Sequence, residues 1–209
     1  MNMINLVAFT GRAGAGKTTA ALHLVERHEF VRTRFADPLK CMLLGLGLEI
    51  EAVDGGLKEQ PHRLLCGKTP RHAMQTLGTE WGRQCIHPDL WTTLWQEIAA
   101  APMVVGERVV VDDCRFANEA AAVRALGGIV VRINGRGGIA GGHASEAQDF
   151  EADIEIENGG HIDHLLQSID LLFERTASTH PQSTIHTFGR NLKIGNGGEP
   201  MPAPQSNDA

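Results

Sequence analysis

One stretch near the start of the chain combines the residue types that bind phosphate. Residues Gly11–Thr18 read GRAGAGKT and fit the pattern GxxxxGK[ST] at every fixed position. Glycines let the backbone wrap a phosphate chain, so that successive N–H groups and a helix N-terminus face the anion. Lys17 is expected to reach the terminal phosphates of a nucleotide, and the Thr18 hydroxyl to ligate Mg²⁺. The pattern therefore predicts a nucleotide-binding loop with ATP and Mg²⁺ as cofactors, formed by Arg12, Ala13, Gly14, Ala15, Gly16, Lys17, Thr18 and Thr19.

Carboxylates that could complete such a site follow two other apolar runs. The run Val109–Val111 ends in Asp112 and Asp113, and an acid at this place is the usual partner of a phosphate loop, so Asp112 is predicted to bind Mg²⁺ with Thr18. Asp37 follows the second predicted strand, where a carboxylate could orient the acceptor or take its proton. Because Asp37 precedes Pro38, a helix-capping role is also open, and the two roles are compatible.

Cations and aromatic rings for a second ligand are present but less specific. Arg71, Arg83 and Arg115 stand near predicted turns or helix ends, where a bidentate guanidinium could hold a monoester phosphate. The chain has no tyrosine, so tryptophans are candidates for stacking on a base. Trp91 and Trp95 share one helix face and could equally be core residues.

The elements that must position these residues alternate along the chain. Apolar runs predict five strands at residues 4–9, 31–35, 108–112, 128–133 and 152–156. Helical spacing predicts helices at residues 17–28, 38–48, 70–83, 88–100, 118–126 and 161–175, with a loop at 49–65. This alternation predicts an α/β fold with a parallel five-stranded sheet covered by helices on both faces.

The charge and the apolar content of the chain exclude some classes of protein. The chain has 209 residues and a formal net charge of −6 without a polybasic run, which argues against polymeric nucleic acid as a partner. It has no apolar run long enough for a membrane span, and its first apolar run reads as a strand, not a signal peptide. A cytoplasmic location is expected. The regular spacing of apolar residues ends at about residue 178, which predicts a domain at 1–177 and a disordered tail at 178–209.

Three longer stretches carry a family resemblance. They read FADPLK at residues 35–40, TPRHAMQTLGTEWGR at 69–83 and DCRFANE at 113–119, and they resemble the phage-type deoxynucleoside monophosphate (dNMP) kinases. The resemblance covers residues 5 to about 172. It implies an adenylate-kinase-like P-loop fold, a helical acceptor-binding region at about 57–100 and a lid at about 134–150. The implied reaction is ATP + dNMP → ADP + dNDP.

The family's functional residues can be carried onto matching positions. The resemblance implies that the acceptor is bound by Asp37, Lys40, Arg71, Gly78, Thr79, Trp81, Arg83, Trp91, Asp113, Arg115 and Glu119. It places Asn158 beside adenine, and the predicted catalytic residues are Lys17, Asp37 and Arg115. A homodimer is left open, and a phage-encoded member would act in the host cytoplasm.

Two other readings of the sequence remain. A kinase resembling dephospho-coenzyme A kinases would share the phosphate loop and Asp37, but such enzymes lack the LGTEWGR and DxRFxNE stretches. A non-enzymatic nucleotide-dependent switch would hydrolyse ATP slowly without an acceptor.

Overall fold

The strands are short apolar runs that pair in parallel. In the computed structural model, which describes residues 4–135 and 150–177, they are β1 (Leu6–Thr10), β2 (Phe30–Thr33), β3 (Arg108–Val111), β4 (Ile129–Gly135) and β5 (Ile154–Asn158). Their order is β2-β3-β1-β4-β5, and every pairing is parallel. This confirms the predicted five-stranded parallel sheet. Because parallel strands end at one edge, the segments that follow β1, β2 and β3 meet there.

Helices occupy most of the connections between the strands. They are α1 (Lys17–His28), α2 (Asp37–Gly45), α3 (Ile50–Val53), α4 (Pro70–Thr76), α5 (Leu90–Val104), α6 (Ala117–Ala125) and α7 (Ile162–Ala177). Two 3₁₀ turns, Gly56–Glu59 and Arg63–Leu65, lie between α3 and α4. The segment predicted as a loop at 49–65 is therefore largely helical. Ala52 and Val53 are buried there against Leu43 and Leu48, and this tertiary burial is not visible in the local sequence pattern.

The helix predicted at 70–83 has two parts. Helix α4 begins as expected, with the Thr69 hydroxyl accepting the His72 N–H at 3.1 Å and Pro70 in the first turn. It then continues as a π-helical segment, Leu77–Ile86. The Gly78 carbonyl in this segment accepts the indole N–H of Trp91 at 2.8 Å. We attribute the wider helical turn to this diverted carbonyl, since a side chain that enters the backbone ladder loosens it.

Alternate side chains of the strands point to opposite faces, and helices cover both. Val7 and Phe9 of β1 pack against α1 and α7, whereas Leu6 and Ala8 pack against α5 and α6. All four side chains are almost fully buried, and burying a large apolar side chain contributes about 1.5–3 kcal/mol. The two cores therefore hold the carboxyl edge of the sheet in place, and this confirms that helices cover both faces.

A third apolar cluster lies within the helices that follow β2. Its buried members are Leu43, Leu48, Ala52 and Val53, and residues of α4 pack against them. The helical region around α3 and α4 thus has its own small core. Acceptor binding by this region stays a prediction.

Several sequence predictions fall outside the described residues. Of the lid predicted at 134–150, residues 136–149 are not described, and the tail predicted at 178–209 is not described at all. Among the described residues, no helix combines the length and apolar character needed to cross a membrane.

Candidate active site

The loop between β1 and α1 has a backbone shape that glycine adopts readily. Gly11, Gly14 and Gly16 have φ values of 140°, 79° and 104°, which side chains disfavour. A Cβ atom on Gly11 would lie 2.5 Å from the carbonyl oxygen of Ile133 in β4. Gly16 precedes α1 and supplies no side-chain cap, so the N–H groups of the first helical turn keep the positive field that attracts phosphate.

Lys17 folds back over this loop. Its ammonium group donates to the carbonyl oxygens of Gly11 at 2.7 Å and of Arg12 at 2.9 Å. A positive charge is therefore already placed at the loop, where the sequence predicted it. Asn158, at the end of β5, supports the loop from the other side, because its side-chain amide donates to the Ala15 carbonyl at 2.9 Å. Contact of Asn158 with adenine stays a prediction.

The two predicted magnesium ligands lie side by side. The Thr18 hydroxyl in α1 donates to a carboxylate oxygen of Asp112 at 2.7 Å. Asp112 directly follows β3 and is only 4% exposed. A hydroxyl and a carboxylate are hard oxygen donors of the kind that Mg²⁺ prefers. The donor set therefore fits the ion that a phosphate loop requires.

An arginine that the sequence prediction missed holds Asp112. Arg32 of β2 donates through Nε to one oxygen of Asp112 at 3.0 Å and through its terminal nitrogen to the other at 2.6 Å. This bidentate pair fixes the orientation of the buried carboxylate. A signal was present, because Arg32 is a charged residue within a short strand that pairs directly with β3.

Asp113 joins the end of β3 to the loop after β2. Its two carboxylate oxygens accept the backbone N–H groups of Phe35 at 2.9 Å and Ala36 at 3.0 Å. Burial raises the pKa of this carboxyl, although the two backbone bonds oppose the rise. Asp113 therefore fixes the backbone around the acceptor region, and a direct contact with an acceptor stays a prediction.

Glu119, in the first turn of α6, also fixes nearby backbone by accepting N–H groups. One carboxylate oxygen accepts the backbone N–H groups of Arg115 at 2.7 Å and Phe116 at 3.1 Å, and the other accepts Arg83 at 2.7 Å. Glu119 is only 2% exposed. Burial and then the charge of Asp113 raise its pKa to about 7, against the lowering effect of these bonds. The Arg83 guanidinium also lies 4.0 Å above the Phe116 ring, so the carboxylate ties the π-helical segment to α6.

Arg115 stands between these two clamped carboxylates. Among the residues that the structure describes, none forms a hydrogen bond or ion pair with its guanidinium. The acids beside it are already engaged, Asp113 with backbone N–H groups and Glu119 with Arg83. Within the part of the chain that the structure describes, Arg115 forms no salt bridge with either acid, and its five donors have no partner there.

Basic residues around the predicted acceptor residues Asp37 and Lys40 converge on two acids. The Asp37 carboxylate accepts the Arg34 backbone N–H at 2.9 Å and its side-chain Nε at 2.6 Å. Asp54 accepts Arg34 and Lys40, each at 2.6 Å, and Lys58 lies 3.9 Å from it. Burial alone would raise the pKa of Asp54, but the bonds from Lys40 and Arg34 outweigh it and lower the pKa to about 2.

We call Arg34, Lys40 and Lys58 the cation cluster. Lys40 and its neighbour Asp37 were predicted from the sequence, whereas Arg34, Lys58 and Asp54 were not. Arg34 precedes α2, and Asp54 and Lys58 follow α3, so the packing of these helices brings Arg34 to Asp54. Arg71 pairs with Glu59. The pKa of the Lys58 amine is lowered by burial, then by the charge of Lys40 and, to a smaller degree, by that of Arg71.

The tryptophans divide into core and surface. Trp91 is 2% exposed, and a Cβ atom on Gly82 would lie 2.4 Å from its ring, so Trp91 supports the π-helical segment. Trp81 is 41% exposed, and its ring centroid lies 6.2 Å from that of Trp91. Trp95 is buried, and its indole donates to Thr33 at 3.0 Å. Trp81 is thus the exposed ring of the three, and ligand contact by Trp81, Trp91, Gly78 or Thr79 stays a prediction.

Comparison with known proteins gives a sequence relative. No protein-family model matches the chain. A protein of Acanthamoeba polyphaga mimivirus named "Putative deoxynucleotide monophosphate kinase" is 37% identical over 161 residues, which span 68% of this chain and 81% of that protein.

Solved structures show a lower likeness. A cysteine-to-alanine mutant of the APS kinase of Mycobacterium tuberculosis covers 83% of this chain and 99% of its own, with 16% identity and a TM-score of 0.46. The shikimate kinase of Bacteroides thetaiotaomicron has the same coverage and identity with a TM-score of 0.45. At these scores the fold assignment rests on the strand order and on the loop Gly11–Thr18.

Proposed function

Since the chain belongs to the deoxynucleotide monophosphate kinase family, we propose that it transfers the γ-phosphoryl group of ATP to a deoxynucleoside monophosphate, giving ADP and dNDP. We further propose that it is of the phage type, on the stretches at residues 35–40, 69–83 and 113–119. The observation that carries the proposal is the convergence at one sheet edge of a phosphate loop, the Thr18–Asp112 pair and Arg115, whose guanidinium has no partner among the described residues.

On the donor side, the loop and Lys17 would bind the phosphates of ATP. Bound Mg²⁺ would neutralise charge on the β- and γ-phosphates, and Thr18 and Asp112 would hold it. Arg32 holds Asp112 through two hydrogen bonds, so the carboxylate is already oriented beside Thr18, where the ion would bind. Such preorganised charge is the main catalytic contribution in phosphoryl transfer, which requires little covalent chemistry from the protein.

On the acceptor side, Arg115 would grip the phosphate of the dNMP. Its turn is fixed by Glu119, which accepts the Arg115 backbone N–H, and Asp113 fixes the facing loop through Phe35 and Ala36. A guanidinium held this way offers a bidentate site that matches a phosphate. The acceptor phosphate would then lie beside Asp112 and the phosphate loop, as in-line transfer requires.

Asp37 would act by orientation. The attacking group of a dNMP is a phosphate oxygen, which is largely ionised near neutral pH and needs no strong base. A carboxylate next to that dianion would repel it. Asp37 is held by Arg34, so we assign it to aiming that arginine and to contacting the sugar.

The proposal is tested by measuring ADP formation with a panel of acceptors. We expect turnover that depends on a dNMP, and Lys17→Ala should lower it by at least about 100-fold. Its melting temperature should fall only slightly, because Lys17 lies on the loop, bonded to two loop carbonyls and outside the apolar cores. Turnover with dephospho-coenzyme A alone would replace the proposal with the other kinase reading. ATP hydrolysis that needs no acceptor would favour the nucleotide switch, and Lys17→Ala activity within tenfold of the parent would contradict the loop assignment.

A further inference from the structure

A cluster of two histidines and an aspartate lies outside the proposed catalytic site. The Nε2 atoms of His23 and His28 in α1 lie 2.6 Å and 2.8 Å from the same carboxylate oxygen of Asp170 in α7. One ligand atom from each residue lies within 4.8 Å of the other two, and this is the only such group of three or more potential ligands among the described residues. We propose that His23, His28 and Asp170 form a binding site for a transition-metal dication, with Zn²⁺ as the best fit.

The donor chemistry favours zinc. Two imidazole nitrogens and one carboxylate oxygen form a ligand set that Zn²⁺ takes in three-ligand sites, whereas Mg²⁺ and Ca²⁺ prefer oxygen donors. Zn–N and Zn–O bonds of about 2.0–2.2 Å place tetrahedral ligand atoms about 3.3 Å apart. The present N–O separations of 2.6 Å and 2.8 Å would widen by less than about 1 Å. A change of rotamer is therefore not required.

The rings are already held in place by packing. The His28 ring lies 5.8 Å from the Phe173 ring and 5.9 Å from the His23 ring, and Phe173 packs in turn on Phe30 at 5.2 Å. The two imidazole side chains are only 13% and 17% exposed. Preorganised imidazoles lose little freedom when they bind a metal, which raises the affinity of the site.

The site is also accessible. A surface cavity of about 270 Å³ opens beside it and is lined by Glu26, Arg27, His28 and Asp170. This volume admits a hydrated ion and leaves room for a water molecule as the fourth ligand. The Arg27 charge in the lining opposes a cation, and the Glu26 carboxylate offsets it.

The position of the cluster gives the site a structural role. Helix α1 begins at the phosphate loop with Lys17, and α7 follows Asn158, which supports that loop through Ala15. A metal bound by both helices would fasten together the two elements that hold the loop. This inference does not depend on the identity of the phosphate acceptor.

Cobalt spectroscopy of the full chain tests the proposal. After chelator treatment, Co²⁺ added to the nucleotide-free protein should give the intense visible bands of tetrahedral coordination, without the near-ultraviolet thiolate band that binding to Cys41, Cys66 or Cys85 would produce. Saturating Zn²⁺ should raise the melting temperature by about 5–10 °C. His28→Gln and Asp170→Asn should each lose the bands and most of that rise, whereas His87→Gln, which removes an exposed histidine, should keep both.

Several results would overturn the site. The proposal is contradicted if the parent protein shows no visible cobalt bands, or if a thiolate band accompanies them. It is also contradicted if the bands persist in both His28→Gln and Asp170→Asn, or if they vanish in His87→Gln. If His28→Gln does not fold, His23→Gln removes the other imidazole, and the parent spectrum alone still decides whether a tetrahedral nitrogen and oxygen site exists.

Discussion

The two halves of the candidate active site are built by different means. The donor half, around Gly11–Thr18, is shaped by backbone conformation at three glycines with positive φ. The acceptor half is shaped by side chains, because Asp113 and Glu119 fasten backbone N–H groups and the Arg83 guanidinium across the fold. A backbone site is sensitive to added volume, whereas a side-chain site is sensitive to lost charge and lost hydrogen bonds. The variants below use this difference.

The largest effect is expected from one methyl group on the donor half. In Gly16→Ala, the new Cβ would lie 2.9 Å from both the Asn158 amide nitrogen and a methyl group of Leu165, at a φ of 104°. The loop must shift, and a displacement of about 1 Å at such a site can cost about 100-fold. We expect ATP affinity to fall by at least that factor, as measured by calorimetric titration.

The control for this variant is Gly106→Ala. Gly106 also has a positive φ, 83°, but a Cβ there meets nothing within 4 Å. It should lose about 1–2 kcal/mol of stability from backbone strain and keep its ATP affinity. Normal ATP binding by Gly16→Ala would show that the loop does not depend on its backbone shape.

The next effect concerns the acceptor half and the carboxyl of Glu119. Glu119→Gln should lower stability by about 1–3 kcal/mol, because a Gln side chain cannot accept all three hydrogen bonds. The pKa of Glu119 is raised from 4.5 to about 7, so the folded state binds the proton more tightly. The stability that this tighter proton binding gives the folded state is therefore fully present below about pH 4.5 and is lost as the pH rises through about 7. The melting-temperature deficit of the variant should accordingly shrink between pH 5 and pH 8.

Glu80→Gln removes an exposed carboxyl from the same region and serves as the control. A deficit of Glu119→Gln that grows with pH would mean that the ionised carboxylate stabilises the fold, contrary to the effect of its burial.

The smallest effect is expected at the cation cluster. Asp54→Asn removes the acid that holds Arg34 and Lys40, and partly exposed ion pairs contribute about 1 kcal/mol or less. The melting temperature at pH 7 should fall by roughly 1–4 °C. Because the pKa of Asp54 is lowered from 3.8 to about 2, its contribution is present above 3.8 and is lost as the pH falls through about 2.

Thermal melts from pH 7 down to pH 2, with ATP titration at pH 7, measure the effect of Asp54→Asn. ATP affinity should stay within about twofold of the parent, since the cluster belongs to the acceptor half. A large loss of ATP affinity would show that the two halves are not separable.

The same contrast explains what the sequence could predict. The donor half was predicted residue by residue, because its glycines, Lys17 and Thr18 are contiguous and their pattern encodes the shape. The strands and most helices were predicted from apolar periodicity, and α1 agrees at both ends. The π-helical turn was missed, because it depends on the contact of Trp91 with Gly78 and Gly82, which only the tertiary fold creates.

The acceptor half was predictable only in part. The family stretches pointed to Arg83, Arg115 and Glu119, but the partners of these residues depend on contacts between distant segments. The Arg32–Asp112 pair, which joins two neighbouring strands far apart in the chain, was missed for the same reason. Residue type gave the available chemistry, and only the fold showed which acids were already engaged.

The central claim is that Arg115 belongs to the acceptor half and binds the phosphate of the dNMP. The most direct measurement is separate calorimetric titration of ATP and of the preferred dNMP into folded Arg115→Ala and Arg115→Lys. A charge-assisted phosphate contact contributes about 1.5–3 kcal/mol, so dNMP affinity should fall by about 10- to 150-fold with ATP affinity unchanged. Arg115→Lys should fail nearly as badly, because lysine lacks the bidentate fork. Intact dNMP binding together with weakened ATP binding would place Arg115 on the donor side and contradict the account.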